Sequence, residues 1–418
     1  MFAKTLETIQ SNAPRRATYI RWMLVVMAVF IAIKAAWFSR LGMWNVRNLV
    51  DFDAFHIIAK RVWLGDAGDA YDFAKLVVMQ REDSGGMDSF MPWTYPPQFD
   101  LLLAPFALLP IGIAYFVFTT VTLAFYLLVM RSIARDYFVL LLIVLFPAIA
   151  VTMACGQNGF LTAGLIGVVC LYFEKRPFTA GLALGLMVIK PHLAIAFAVY
   201  AILRRRWTIV ITAGAVVLIT SAICTAVFGT QIWLQLLQSV RDSSIFLERG
   251  NYPLYRMISV YAALRSAGSS AGIAFLGQGF IALMALGIIL FALYRRMPER
   301  SSLGLTAMVS ICISPYAYDY DFLIFGIGLA CLLPALHEAR EWERSIIYAV
   351  PILIGAYGNL RSAHVGTALD VDYLNIISIG GFAIVPLIAL TLIILRRRAQ
   401  SGTLRDLSEE KPIALASR

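Results

Sequence analysis

Long apolar runs joined by short polar connectors dominate the chain, with neither the two-residue alternation of half-buried strands nor a repeat of fixed period. The pattern predicts an all-α, polytopic membrane protein of about 12 crossings. The runs lie at 20–39, 111–130, 137–153, 158–173, 178–190, 192–203, 208–228, 271–294, 302–314, 321–336, 345–358 and 374–395. An even number of crossings brings both termini to one side. Two neighbours, 178–190 and 192–203, are each shorter than the ~20 residues of a straight crossing. They read as a helical hairpin turning at Lys190-Pro191, or as one long kinked helix. The run 302–314 is also short, and 97–110, bounded by prolines, reads as a half-length helix in the outer leaflet.

Charge assigns the sides. The N-terminal segment and the connectors 131–136, 174–177, 204–207, 295–300, 337–344 and 396–398 all carry Arg or Lys, and alternation puts them together. The positive-inside bias makes that side cytoplasmic. The outer side then receives the 40–110 loop, the turns at 156–159 and 190–192, and the connectors 229–270, 314–321 and 359–373. On this reading residues 1–398 form one transmembrane domain and 399–418 a polar cytoplasmic tail. The first apolar run exceeds the ~7–15 residues of a signal-peptide core, so an uncleaved span is expected. Composition agrees, since 60% hydrophobic and 14% charged residues exclude a water-soluble globule. A net charge of +10 would suggest nucleic acid in a soluble protein. Here the basic connectors account for it, so membrane lipid is the expected partner and nucleic acid is not. The five cysteines sit in or beside apolar runs without metal-ligand spacing, as small packing residues do.

Polar groups at membrane depth are costly, so those that collect at one boundary mark a candidate cavity. Asp51, Asp53 and His56 open the first outer loop, and Tyr95 in Tyr95-Pro96-Pro97 closes it. Gln157 and Asn158 occupy a turn, Lys190 and His192 flank Pro191, and Tyr316, Tyr318, Asp319 and Asp321 crowd one connector. All fall on the outer side. Each also has a plain structural reading. Phe52, Phe55, Ile58, Ala59, Val62 and Trp63 recur at helical spacing, which predicts an amphipathic helix on the membrane surface. Asp51 then stands at or near its N-cap, where Asp is common for structural reasons. Gln157 and Asn158 suit a helix end between glycines, Lys190 can snorkel, and the tyrosines suit an interfacial belt. Two acids among those tyrosines, and a lysine at the break of a short hairpin, fit these readings less well. A cation at that depth suits a lipid phosphate.

Taken in order, DFDAFHIIAKRVWLGDAGDAYD, MPWTYPPQFDLLLAPFALLP, GQNGFLTAGLI, KPHLAIAFAVYAILRRRW and SPYAYDYDFLIF resemble glycosyltransferase family 87. The resemblance covers most of 50–210 and returns at 314–325, while 215–300 and the chain beyond 330 share only hydropathy. It implies a multi-span fold of the GT-C type with its active site at the outer face of a bacterial inner membrane. It also implies a polyprenyl-phosphate sugar donor, a hexose such as mannose, and a glycolipid or glycan acceptor, with no cofactor and no metal. The family's catalytic acid falls on Asp51 by its spacing to Gly65, and Asp53 then occupies a variable position. In that scheme Asp51 is the general base, and Lys190, then His192, bind the donor phosphate. Arg241, Arg249 and Arg256 are alternatives for that role. Asp53, Tyr95, Gln157, Asn158, Tyr318, Asp319 and Asp321 are candidates for the substrate pocket, the last two being the one pair that could take a metal. Relatives often carry Gln where this chain has His192. The rival from another class is a secondary transporter, which predicts two related halves and midplane binding on broken helices. A non-catalytic scaffold is the third reading.

Overall fold

The computed structural model describes residues 2–39, 49–86, 90–365 and 373–400. Nearly all of the expected 399–418 tail, the start of the 40–110 loop and residues 366–372 of the 359–373 connector lie outside the described residues. The described residues are helical, with no strand among them. The order is α1 (Phe2–Ser11), α2 (Ala13–Ser39), α3 (Asp51–Leu64), α4 (Phe73–Asp83), α5 (Pro97–Leu103), α6 (Ile111–Ala134) and α7 (Phe138–Cys155). Then come α8 (Gly159–Tyr172), α9 (Pro177–Leu186), α10 (Pro191–Leu203), α11 (Trp207–Phe228), α12 (Gln231–Glu248) and α13 (Val260–Ser266). The chain ends with α14 (Ala271–Tyr294), α15 (Glu299–Ser310), α16 (Phe322–Leu336), α17 (Glu341–Val365) and α18 (Ile379–Gln400).

Five stretches are long and apolar enough to cross a bilayer: 14–39, 111–155, 207–228, 271–294 and 379–400. Their outward faces are apolar, Leu218 on α11 being 73% exposed and Leu276 on α14 76%. Apolar side chains exposed in such number need lipid around them, so the chain is membrane-embedded. The shorter apolar helices pack inside this shell, and α16 is buried along almost its whole length.

Close approaches at glycines give the relative sense of neighbouring helices. Gly181 of α9 lies against Ile209 and Thr212 of α11, and Gly185 against Ala213 and Val216. Both sequences advance together, so α9 and α11 run parallel and α10 must return between them. That is the hairpin arrangement of 178–203, and one kinked helix would have reversed the register. Likewise Gly164 and Gly167 of α8 lie against Phe125 and Val129 of α6, so those helices are parallel and α7 runs back.

The basic connectors meet at one end. Arg16 pairs with Asp136, Glu7 with Arg344, Arg204 with both Glu174 and Glu299, and Arg206 with Glu174. Arg397 pairs with Glu343 and Arg398 with Glu338. Arg300 donates to the carbonyls of Ile133 and Cys331. Partly exposed pairs contribute only ~0–1 kcal/mol each. Their value here is topological, because they join all seven basic connectors into a single cluster.

Helix α3 departs from the surface helix that its spacing predicts. Residues 52–59 are buried on every side, not along one stripe. Phe52 and Phe55 pack against Phe38, Tyr115, Trp93, Phe99 and Phe118. The two polar residues within that stretch each make a side-chain hydrogen bond, while His56 Nδ1 has no partner among the described residues. Asp53 accepts from the Val50 N–H at 2.8 Å, capping its own helix, and His56 Nε2 lies 3.1 Å from the Leu109 carbonyl. Val50, not Asp51, holds the N-cap position, and the helix ends at Gly65 in the left-handed conformation. The apolar 97–110 segment is α5 followed by a 3₁₀ turn at Ala104–Leu108.

Candidate active site

Opposite the basic cluster, two glycines let three remote segments close on one another. Gly156 ends α7 at φ 66°, and a Cβ there would stand 2.6 Å from Phe52 Cβ. A Cβ on Gly159 would stand 2.3 Å from the Tyr320 carbonyl oxygen. The start of α3 and the 314–321 connector therefore rest directly on the backbone of the turn between α7 and α8. Nothing larger than glycine fits either contact.

On that platform the Asp51 carboxylate, partly exposed at the first turn of α3, is oriented by a short chain of hydrogen bonds. Gln157 Nε2 donates to Asp51 Oδ1 at 2.9 Å. The amide cannot be the other way round, because Gln157 Oε1 already accepts from Tyr95 Oη at 3.0 Å and from the Asn158 N–H at 2.8 Å. Burial pushes the Tyr95 phenol up to about 12, so it stays protonated and a donor. Asp51 Oδ2 accepts no hydrogen bond among the described residues.

Two buried ion pairs flank this carboxylate. Lys190, at the turn between α9 and α10, places Nζ 2.7 Å from Asp321 Oδ1, the two side chains being 7% and 0% exposed. Arg256, in the connector after α12, forks onto Asp319 with Nε–Oδ2 at 3.1 Å and Nη2–Oδ1 at 3.0 Å, and donates to Cys155 Sγ at 3.2 Å. Both cations address one ring: Lys190 Nζ lies 4.7 Å and Arg256 Cζ 5.8 Å from the centroid of Tyr320. Backbone contacts hold the acids in place. The Asp319 N–H donates to the Arg256 carbonyl, Met257 and Tyr318 form an isolated antiparallel bridge, and the Tyr318 N–H donates to Asp321 Oδ2. Asp51 lies within Coulombic reach of Lys190, Arg256 and Asp319.

Behind Tyr95 stands a third buried acid. Asp100 on α5 accepts from Tyr71 Oη at 2.8 Å and from Trp93 Nε1 at 3.0 Å. Tyr71 Oη also lies 2.8 Å from the Tyr95 carbonyl oxygen. Burial raises the Asp100 carboxyl to about 7, against the pull of those two donors. This knot fixes the extended segment 93–97 and so the position of Tyr95.

Of the residues singled out in the sequence, Asp51, Tyr95, Gln157, Lys190, Asp319 and Asp321 converge. Asn158 is fully buried beside them, with both amide atoms unpartnered. Tyr318 joins the site chiefly through its backbone and stacks on Tyr320 at 5.2 Å. His192 is half-buried in the first turn of α10, with no side-chain hydrogen bond among the described residues. Asp53 is turned to its own helix cap. Neither Asp319 nor Asp321 is spare, each being engaged by a cation, and no group of three His, Cys, Asp or Glu suited to a metal forms among the described residues. Sequence reasoning left Arg256 unranked among three loop arginines and passed over Tyr320. The alternation of tyrosine and aspartate over 316–321 was the available signal for the latter, since it sets Tyr320 between the two acids.

A family model described as glycosyltransferase family 87 matches residues 93–315. No curated protein and no solved structure matches the chain.

Proposed function

Because the chain belongs to glycosyltransferase family 87, we propose that it transfers a hexose such as mannose from a polyprenyl-phosphate donor to an acceptor hydroxyl, with inversion and with Asp51 as general base. The observation that carries this reading is the Asp51 carboxylate, held through Oδ1 by Gln157 and within Coulombic reach of Lys190 and Arg256. Inverting transfer needs one base and a good leaving group. The acceptor oxygen forms its bond to the anomeric carbon as the carbon–oxygen bond to phosphate breaks. The bonding pair stays on the phosphate, and the acceptor proton passes to Asp51 Oδ2. A lipid phosphate needs no acid to leave, unlike the poor leaving group for which hydrolases carry a second carboxyl. Charge growing on it is met by Lys190 and Arg256, with His192 close by on α10. Tyr95, Gln157, Asn158, Tyr318, Asp319 and Asp321 line or position this pocket, whereas Asp53 serves α3.

The acceptor in this reading is a glycolipid or glycan. The same reading takes about 12 crossings, with both termini in the cytoplasm of a bacterium and the site on the outer face of the inner membrane. Support for that orientation comes from the single cluster of basic connectors at the opposite end. The test is transfer of labelled hexose from a polyprenyl-phosphate donor by wild type and by Asp51→Asn at matched abundance. Asp51→Asn should fold and lose at least ~10³-fold in rate, in keeping with the upper range of general-base contributions. Transfer at near wild-type rate by that variant would sink the assignment.

A further inference from the structure

The pocket needs cations for a lipid phosphate, yet both cations in it are already taken. Lys190 is held by Asp321 and Arg256 by Asp319, with the acids only 0% and 1% exposed. Resting on the donor chemistry proposed above, we propose that Asp321 and Asp319 are resident counter-anions that compete with the lipid phosphate for Lys190 and Arg256. The intact donor therefore binds loosely and the departing phosphate tightly.

The argument is one of charge. The phosphate of a polyprenyl-phosphate sugar is a diester and carries one negative charge, as a carboxylate does. It offers the two cations no gain over the anions they already hold. As the bond to the sugar breaks, the phosphate becomes a monoester and gains a second charge. Only then does it outcompete the resident carboxylates, so the cations bind the transition state better than the ground state. Once the sugar has left, competition from the two carboxylates weakens the hold of Lys190 and Arg256 on the lipid phosphate and so speeds its release. The acids are built for such exchange. The 318–321 backbone anchors them through the Tyr318 N–H and the Met257–Tyr318 bridge, while the cations reach in from other segments. Lys190 keeps two of its three N–H donors outside the Asp321 bond. At the neighbouring turn, Asn158 carries a fully buried amide whose two atoms have no partner among the described residues.

The test uses purified full-length protein in nanodiscs, with farnesyl phosphate as the probe and farnesol as the control without phosphate. Asp321→Asn should bind farnesyl phosphate at least tenfold more tightly than wild type, with farnesol unchanged. In turnover the same variant should lower both KM for the donor and kcat, because release of the lipid phosphate becomes limiting. Asp319→Asn carries the same test through Arg256. Equal or weaker affinity for farnesyl phosphate in a folded variant overturns the proposal. So does failure of both variants to fold without rescue by farnesyl phosphate. Unchanged phosphate affinity alongside Asp51-dependent transfer removes this inference alone, whereas transfer that survives Asp51→Asn removes the reading beneath it.

Discussion

Gly159→Ala tests whether the turn between α7 and α8 sets the geometry of the site. The new Cβ would stand 2.3 Å from the Tyr320 carbonyl oxygen, where 3.0 Å is the floor for real contacts, so something must retreat by about 0.7 Å. The obstacle is backbone and cannot rotate aside, and the residues on either side of it are Asp319 and Asp321. A displacement of that size stretches the Lys190–Asp321 contact from 2.7 Å past the ~2.7–2.9 Å of a charge-assisted hydrogen bond. Ångström-scale misplacement at a reacting centre costs up to about 10²-fold. We therefore expect kcat/KM to fall about 10–100-fold, or roughly 1.4–2.8 kcal/mol of transition-state stabilisation. Labelled sugar transfer by purified protein provides the assay, with the thermal midpoint recorded alongside. Gly279→Ala in α14 is the control, because a Cβ there meets nothing within 4 Å and alanine favours a helix interior. A folded Gly159→Ala protein with kcat/KM within twofold of wild type would refute the claim that the turn and the tyrosine connector position each other.

Three further outcomes follow from the same geometry. Gln157→Ala removes the donor to Asp51 Oδ1, and loss of a hydrogen bond to a charged group, ~1.5–3 kcal/mol, predicts a fall in kcat of tenfold or more, with a lower thermal midpoint because the Tyr95 hydroxyl and Asn158 N–H lose their acceptor; an unaltered kcat would show that Asp51 needs no orientation. Asp100 sits at about 7 in the fold against an ordinary 3.8, so the folded protein holds a proton between those values that the unfolded chain has released. Stability should accordingly fall as pH rises from about 4 to about 7, by an amount on the order of 4 kcal/mol, and unfolding scans across that window should show a slope that Asp100→Asn flattens; an identical slope in the variant would assign it elsewhere. Arg256→Ala strands the buried Asp319 carboxylate, which costs about 3–5 kcal/mol, and Arg256→Ala/Asp319→Asn should recover much of the lost thermal midpoint; no recovery in the double variant would show that the pair does not act as a unit.

How much of this was legible in the sequence depended on whether one segment or two had to be read. Apolar run lengths located the five stretches long and apolar enough to cross a bilayer, and Arg/Lys in the connectors grouped seven of them at one end, because both signals are local. Asp51, Tyr95, Gln157 and Lys190 stood out for the same reason, as polar residues at the edges of apolar runs. The pairing of Lys190 with Asp321 joins positions 131 residues apart, and no periodicity encodes it. Arg256 looked like Arg241 and Arg249 until the Met257–Tyr318 bridge set it beside Asp319. The burial of residues 52–59 in α3 was hidden by Asp53 and His56. Their polarity suggested a wet face, whereas Asp53 caps its own helix and His56 reaches the Leu109 carbonyl in a dry one. Spacing also could not decide between a hairpin and a kinked helix at Lys190. That answer lay in which residues of α11 the glycines of α9 touch.

The hairpin has a consequence for depth. Its rising limb, 177–189, comprises α9 and one 3₁₀ turn. At ~1.5 Å per residue it climbs roughly 20 Å. A bilayer's hydrocarbon layer is ~30 Å thick. Starting from the basic end, the limb stops roughly 10 Å short of the far boundary. On the function proposed above, the chemistry would thus happen below the waterline, in a well whose walls are protein and whose moisture the protein alone decides. A long-tailed substrate could keep most of its chain in the surrounding oil while its polar head reacts. The partner would have to lower a hydroxyl into the well, and molecules too bulky or too stiff to reach down would be turned away by depth before any contact could discriminate among them.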